Sequence, residues 1–152
     1  MDTYVCKVCG YVSFGSAPDN CPVCHAPKTA FSLDNGAIKK PTDAKNLNDS
    51  EKKHIPVINI VKKCGLVGPG CVDVNIKVGE ILHVMETKHF IMYIDAYLDP
   101  LTGAGKNFIA RYHMAPEKIN PVLGMHIKVD KGSILVLENC NIHGRWINEA
   151  EI

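Results

Sequence analysis

Short apolar runs separated by turn-forming clusters dominate the chain from about residue 54 onward. Residues 71–79, CVDVNIKVG, alternate Val72, Val74, Ile76 and Val78 with polar residues, the period of a half-buried strand. The stretches HFIMYIDAYL, KNFIARYHM, MHIKV and GSILVLENC are also rich in β-branched, aromatic or other apolar residues. Turn clusters such as LVGPG and APEKINP separate these stretches. The pattern predicts an all-β sandwich or barrel, without a four-turn amphipathic helix or an internal repeat.

The beginning of the chain has a different pattern, because cysteines replace the apolar runs. Two C-x2-C units, CKVCG and CPVCH, are separated by eleven residues and contain Cys6, Cys9, Cys21 and Cys24. Each unit can bring two thiolates to one ion, and two units complete a tetrahedron. A segment this short cannot bury enough apolar surface to fold alone, so a bound metal would supply the folding energy. The spacing fits iron and zinc equally well.

These two patterns, with a polar stretch between them, define the predicted domain organisation. We predict a metal-stabilised domain at 1–34, a linker at 35–50 and a β-sandwich at 51–152. The 152 residues include 46% hydrophobic residues, enough for a packed core. A net charge of +1 gives no bulk electrostatic reason to bind nucleic acid or an anionic membrane.

Cysteine use and the absence of sorting signals bear on the compartment. No apolar run approaches the roughly 18 residues of a membrane span, and the first residues lack a secretory pattern. We therefore expect a cytoplasmic protein without a membrane partner. In that reducing setting, paired cysteines bind metal more often than they form disulfides. The seven cysteines are also an odd number for a complete disulfide framework.

Six of the seven histidines lie after the predicted linker. His83 and His89 form an H-x5-H pair, which neither a helix nor a strand can aim at one ion, so a shared ligand role requires a loop. Taken alone, this pair is better explained by two ordinary surface or core histidines. In CNIHGRW, Cys140 and His143 could be metal ligands, a nucleophile with its base, or two ordinary residues at a strand end.

The N-terminal cysteines lie in a recognisable context. Residues 4–31, YVCKVCGYVSFGSAPDNCPVCHAPKTAF, resemble a rubredoxin-like module, especially the short-spaced type at the end of rubrerythrins. The resemblance rests on Gly-Tyr after the second cysteine, Ala-Pro before the third, Cys-Pro at the third and the closing Lys-x-x-Phe. It implies one iron ion held by Cys6, Cys9, Cys21 and Cys24, with structural zinc as the alternative. The rubrerythrin di-iron bundle needs Glu-x-x-His motifs on long helices, and this chain has no long helical pattern to carry them, which disfavours that peroxidase activity.

The second half resembles the superoxide reductases, the neelaredoxin and desulfoferrodoxin family, over residues 50–146. The motifs KKHIPVI, LHVMETKHFIMYID and CNIHGRW carry the resemblance. It implies an immunoglobulin-like β-sandwich and one iron that reduces superoxide by one electron to hydrogen peroxide. The implied ligands are four equatorial histidines and one axial cysteine: His54, His83, His89, His143 and Cys140. The N-terminal module differs from the desulforedoxin type usual in this family, in which the last two cysteines are adjacent.

The same resemblance assigns Lys53 the role of the family's catalytic lysine, which attracts superoxide and helps to deliver a proton through water. Here the motif is EKKH, so Lys52 takes the usual place of a glutamate and Glu51 lies one residue earlier. We therefore do not expect a glutamate to bind the oxidised iron; the alternative is a loop rearrangement that brings Glu51 close to it. The alternative for Lys53 is a solvated charge in the linker. Val84 is a second departure, since proline is frequent after the first histidine of the pair.

The ligand set suits this chemistry. Four neutral imidazoles and one thiolate on ferrous iron leave a net charge of +1, which attracts an anion. Five ligands leave one position for substrate, and the thiolate increases electron density at the metal. The resemblance further implies relay of electrons through the rubredoxin-like iron, from rubredoxin or a rubredoxin reductase, in a homodimer or larger homo-oligomer. The alternatives are an electron carrier or redox sensor with two irons, and a zinc-ribbon scaffold.

The remaining histidines and cysteines are predicted to be structural. His25 would be a surface residue, and His113 and His126 would lie in strands. Cys64 and Cys71 flank the turn GLVGPG, and we favour structural thiols there over a hairpin disulfide or a redox switch. Trp146 is predicted to pack in the core near the site rather than to relay electrons.

Overall fold

The computed structural model describes residues 1–100, 105–129 and 131–152, and it is almost entirely β. The strands in chain order are β1 (Thr3–Cys6), β2 (Val12–Phe14), β3 (Phe31–Leu33), β4 (Ile38–Lys39), β5 (Pro56–Val61), β6 (Val72–Val78), β7 (Ile91–Asp99), β8 (Asn107–His113), β9 (Val122–Ile127), β10 (Ser133–Cys140) and β11 (Gly144–Glu151). A six-residue helix, α1 (Asp49–His54), precedes β5, and Lys28–Ala30 form one 3₁₀ turn. No helix in the described parts of the chain is long and apolar enough to cross a membrane.

Two sheets form the sandwich that the sequence predicts. The larger sheet has the strand order β4-β11-β10-β7-β8 and the smaller one β5-β6-β9, while β2-β1-β3 form a separate N-terminal sheet. Side chains such as Val74, Ile76, Ile94 and Val136 fill the core of the sandwich. On β6 the predicted alternation is confirmed, because its four apolar residues are buried and the intervening residues are more accessible. The mainly β fold class is therefore confirmed.

The N-terminal module covers the outer face of the larger sheet. Tyr97, Leu135 and Leu137 lie in one buried cluster with Tyr11 and Val12 of the module. Strand β10 is consequently buried at seven of its eight positions, because both of its faces are covered. This explains why residues 134–137 of β10, ILVL, form a continuous apolar run rather than an alternating one.

Polar contacts fix the module in place on this sheet. The hydroxyl of Tyr97 donates to the carbonyl oxygen of Val12 over 2.8 Å, and that of Tyr93 donates to Gly10 over 2.9 Å. The guanidinium of Arg111 makes two 2.6 Å hydrogen bonds to the fully buried Asp95 and a third, of 2.7 Å, to the carbonyl oxygen of Cys9. A buried ion pair with these added hydrogen bonds fixes the orientation of the module.

The segment at 35–50 contributes to the sandwich although it reads as a polar linker. Strand β4 pairs in parallel with β11, placing Ile38 beside Arg145 and Lys39 beside Trp146. The side chain of Asn48 then caps α1. The domain boundaries at 34 and 50 stay predictions.

The expectation of free structural thiols at Cys64 and Cys71 is wrong, because the structure joins them in a disulfide. The turn between them contains Gly68 and Gly70 with φ of +98° and +81°, a backbone that glycine adopts readily. It brings the two Cα atoms to 5.4 Å, within the range of a disulfide. His126 lies on β9 as predicted, and its Nδ1 is 3.1 Å from the sulfur of Cys64.

Candidate metal centres

Helix α1 positions His54. Asn48 and Glu51 form a reciprocal capping box at its start, and His54 is its last residue. The Nδ1 of His54 lies 2.8 Å from the carbonyl oxygen of Ser50. Because a carbonyl only accepts, Nδ1 carries the proton, and the lone pair of Nε2 faces the centre, 3.1 Å from Nδ1 of His143. The indole of Trp146 stacks on the ring at 5.0 Å, so Trp146 packs beside the site as predicted.

The loop between β6 and β7 carries His83 and His89, as their spacing requires. The Nδ1 of His83 donates to the carbonyl oxygen of Val84 over 2.6 Å, which leaves Nε2 as the free nitrogen. Reciprocal backbone hydrogen bonds between Glu86 and His89 form a tight turn within the loop. Gly79 begins the loop with φ of +84°, and a Cβ there would overlap the carbonyl oxygens of Ile81 and Lys53. Only glycine lets the loop pass this close to the end of α1.

The hairpin between β10 and β11 supplies Cys140 and His143. Cys140 ends β10, and the backbone N–H of His143 lies 3.4 Å from its sulfur. Asn141 anchors this hairpin to the histidine loop: its side chain accepts from the N–H of Phe90 and donates to the carbonyl oxygen of Lys88. These two contacts flank His89, so Asn141 fixes the position of the hairpin relative to that ligand candidate.

The structure brings all five predicted residues of this centre together. One ligand atom from each lies within 4.8 Å of every other, and the residues are His54, His83, His89, Cys140 and His143. The four imidazole rings surround a common centre, and the centroids of neighbouring rings are 4.7–4.9 Å apart. The ring centroids of His54 and His89, on opposite sides, are 6.4 Å apart. His143 turns Nδ1 toward Cys140, at 3.6 Å from the sulfur.

Unpartnered nitrogens show that this arrangement fits a metal ion. The Nε2 atoms of His83 and His89 are buried, and neither has a hydrogen-bond partner among the described residues. Buried polar atoms are normally paired, so lone pairs facing a common point call for a cation. Burial lowers the pKa of His83 to about 4 and also lowers that of His54, so both rings are neutral, as metal binding requires.

Cys140 and Glu138 are the two acidic groups that can carry charge at the histidine group. Burial raises the pKa of the Cys140 thiol, so a nearby cation is needed to hold the thiolate. Glu138, on β10, is fully buried, and its carboxyl oxygens have no partner within the described residues. Burial raises the pKa of Glu138 well above its usual range, so this group is neutral and adds no charge beside the centre.

A pocket of about 440 Å³ opens over the histidines. Lys53 lines it with His54, His83, His89 and His143, so the predicted catalytic lysine lies at the same opening. The apolar residues Ile81, Leu82 and Val84 form part of its wall. A small anion could therefore reach the ligand atoms from solvent past a positive charge.

The carboxylate of Glu51 has a structural role, because hydrogen bonds to it join the start of α1 to the 35–50 segment. Its carboxylate accepts hydrogen bonds from the backbone N–H of Asn48 and from the N–H and hydroxyl of Thr42, over 2.7–2.9 Å. These bonds hold the pKa of Glu51 below its usual value, the bond from Asn48 being the strongest cause. The altered motif thus uses its glutamate to cap α1 and to anchor the 35–50 segment.

The four N-terminal cysteines form the second predicted group. The sulfur atoms of Cys6 and Cys24 are 3.7 Å apart, and those of Cys9 and Cys21 are 3.5 Å apart. A tetrahedron with metal–sulfur bonds of about 2.3 Å has edges of about 3.8 Å, so the sulfur atoms fit around one ion. Burial raises the pKa of Cys9 and Cys21, and a cation would offset that cost.

Two residues near the histidine group were missed from sequence. Lys39 donates to the carbonyl oxygen of His143 over 2.9 Å and lies over the ring of Trp146. It belongs to a polar segment that offers no signal for such a role. Asn141 was missed because asparagine is common in turns for local reasons. Exposed His25 and strand residue His113 lie outside both groups, as predicted.

The β-sandwich gathers four histidines and one cysteine beneath an open pocket, and the module on its larger sheet holds four cysteines. The protein therefore has two residue groups, each of which could bind one iron ion. The family model for desulfoferrodoxin matches residues 46–149, and that for the rubredoxin-like domain of rubrerythrin matches residues 4–32. The chain therefore belongs to the desulfoferrodoxin family, with a rubredoxin-like domain at its N-terminus.

Individual relatives agree with this assignment. The chain is 29% identical to a desulfoferrodoxin of Syntrophotalea carbinolica over 99% of its own length and 97% of that relative. It is 32% identical to a superoxide reductase of Pyrococcus furiosus, covering 66% of this chain and 89% of the other. Among solved structures, a superoxide reductase from Nanoarchaeum equitans matches with a TM-score of 0.58 and 27% identity over 66% of this chain and 94% of that one.

Proposed function

We propose that this protein is a superoxide reductase, an oxidoreductase that converts superoxide, one electron and two protons to hydrogen peroxide. The observation that carries this proposal is the convergence of five ligand atoms beneath a solvent-accessible pocket. Relatives that are named superoxide reductase match this chain over most of their own length, and they support the same activity. An iron ion bound there would supply the electron and a position for the substrate.

We propose that His54, His83 and His89 would bind this iron through Nε2 and His143 through Nδ1, and that Cys140 would supply the thiolate. The nitrogen assignment follows from the hydrogen bonds that occupy Nδ1 of His54 and His83 and from the orientation of His143. The second group, Cys6, Cys9, Cys21 and Cys24, would bind the other iron.

Lys53 is the proposed catalytic residue of the pocket. Its ammonium group adds positive charge where an anionic substrate enters, and it can donate a proton through water. Glu51 takes no part, because hydrogen bonds to Thr42 and Asn48 occupy its carboxylate. The pocket also favours an enzyme over a simple electron carrier, since a carrier needs no route for a small anion to its ligands.

The contact between module and sheet suggests a route for electrons. Gly10, directly after Cys9, accepts a hydrogen bond from Tyr93, whose hydroxyl lies 3.3 Å from Nε of Arg145. Arg145 is two residues from His143, so bonded and hydrogen-bonded groups connect both centres. We propose that this path relays electrons delivered by rubredoxin or a rubredoxin reductase. We also propose a cytoplasmic setting, which would keep the five cysteine ligands of the two groups reduced, and a homo-oligomeric assembly.

The test is to mix iron-loaded, fully reduced protein with a pulse of superoxide and to follow oxidation of the histidine-bound iron. We expect near diffusion-limited oxidation and release of hydrogen peroxide without oxygen evolution. Lys53→Ala should slow the second-order step about tenfold or more, because electrostatic attraction is lost. Lys52→Ala is the matched control, since Lys52 does not line the pocket and should leave the rate nearly unchanged.

Two results would contradict the proposal. If the wild-type protein with full iron content does not react with superoxide, the electron carrier or redox sensor becomes the better description. If both lysine variants slow the reaction equally, general surface charge rather than Lys53 at the pocket attracts the substrate.

A further inference from the structure

We infer that Cys64, Cys71, Asp73 and His126, in their reduced form, are a third metal site of this chain, suited to zinc. One ligand atom from each of the four lies within 4.8 Å of every other. The group lies at the end of β5 opposite His54, so the six residues of β5 separate it from the histidine centre by about 20 Å. It is therefore distant from the histidine group, and it shares no residue with the four-cysteine group.

The sheet and one hairpin build this group. Asp73 on β6 and His126 on β9 are directly opposite each other in the strand register, with Asp73 Oδ1 2.6 Å from His126 Nδ1. The glycine-rich turn between Cys64 and Cys71 places their sulfur atoms 3.1 and 3.9 Å from the same nitrogen. Two elements distant in sequence thus direct four donor atoms to one point.

Hydrogen bonding alone does not account for this convergence. One ring nitrogen carries at most one proton, which the short contact with Asp73 uses, and the two sulfur atoms approach the same nitrogen without a proton to share. A divalent ion satisfies all four atoms together, because each contributes a lone pair. Two thiolates, one imidazole and one carboxylate form a tetrahedral donor set typical of zinc.

Accessibility and redox state also suit a metal site. The sulfur atoms are buried, whereas the side chains of His126 and Asp73 are 39% and 26% exposed, so an ion has a path inward. The disulfide between Cys64 and Cys71 is the oxidised form of the group. A dithiol reductant converts it to two thiols while becoming a disulfide itself, and binding of Zn²⁺ then releases the two thiol protons.

The test uses full-length protein with both iron groups filled, so that iron is counted separately. The protein is treated anaerobically with a dithiol, desalted, and titrated with zinc. We expect one additional zinc per chain in reduced protein and none in protein that keeps the disulfide. His126→Ala should weaken this zinc at least about tenfold, whereas His113→Ala, a change at another exposed strand histidine, should leave the affinity unchanged.

Cobalt provides a second readout, since a thiolate-to-cobalt absorption band reports sulfur ligands directly. The band should appear in reduced protein and be absent from Cys64→Ser/Cys71→Ser. An unchanged iron content shows that each variant has folded. Absence of extra zinc in reduced protein, zinc retained by the double serine variant, or equal affinity in the two histidine variants would overturn the inference. None of these outcomes affects the superoxide reductase proposal, which depends on the other histidine group.

Discussion

The two iron-binding groups are assembled in opposite ways. The four cysteines lie within 19 residues, in two C-x2-C turns closed by the left-handed residues Gly10 and His25. The histidine group draws on α1, the loop between β6 and β7, and the hairpin between β10 and β11, a span of 90 residues. The first group would enclose an ion with residues close together in the chain, whereas the second requires the folded sandwich to bring its ligands together.

This difference affects both stability and function. Closing a short loop around an ion costs little chain entropy, so the metal itself can fold the N-terminal module. The sandwich has its own apolar core, which positions the ligands before any ion binds. A preformed site can leave one coordination position free for substrate, while a four-thiolate site is closed. This difference fits the proposed division of roles, with electron transfer at the four-cysteine group and reaction with superoxide at the histidine group.

The largest expected effect comes from Cys140→Ser. Because it removes the only thiolate of the histidine group, the affinity of this group for iron should fall at least about 100-fold. Superoxide reductase activity should disappear, while iron in the four-cysteine module remains. Iron analysis with activity measurements tests this selectivity, and loss of both irons would show that the two groups do not fold independently.

Cys21→Ser is the reciprocal change and the control for the first. It should empty the four-cysteine group and unfold its turns, since the metal supplies their folding energy. When the iron of the histidine group is reduced beforehand, the rate of its oxidation by superoxide in a single turnover should stay within about twofold of the wild-type rate, as expected for distant sites. Turnover driven by a rubredoxin-type donor should stop. If single-turnover oxidation is lost as well, the module is needed for the chemistry itself.

Arg111→Ala tests how the two regions are joined. It leaves the fully buried Asp95 without its partner, so we expect about 3–5 kcal/mol of destabilisation in denaturant unfolding. The double change Asp95→Leu/Arg111→Leu removes both charges and should recover much of that loss. A double variant as unstable as the single one would show that Arg111 acts through its bond to Cys9 instead.

Asn141→Ala should have the smallest effect of the four. Losing two hydrogen bonds to the histidine loop should cost about 1–3 kcal/mol. The hairpin would then hold Cys140 less firmly, and iron affinity of the histidine group should fall about 10–100-fold without change at the four-cysteine group. Asn107→Ala is the control, since the side-chain amide of Asn107 donates to the carbonyl oxygen of Gly105 rather than to the histidine loop. Equal iron affinity in the Asn141→Ala and Asn107→Ala variants would show that Asn141 does not position the ligands.

Much of the fold could be predicted, because strand periodicity is a local property. The alternation of β6 and the apolar runs of β7 and β10 correspond to observed strands. The covering of β10 on both faces could not be predicted, since it depends on docking of a distant module. The same limit applies to β4, whose two residues form a strand only because the edge of β11 is available.

By itself, the sequence determined the four-cysteine group and, through family motifs, the five members of the histidine group. Ligand type and local spacing are sufficient where the chain closes on itself. Only the tertiary structure decided that Glu51 caps a helix, that His143 presents Nδ1, and that Cys64 and Cys71 meet His126. The physical reason is that these contacts join segments far apart in the chain, and packing of the two sheets, rather than local preference, sets their distances.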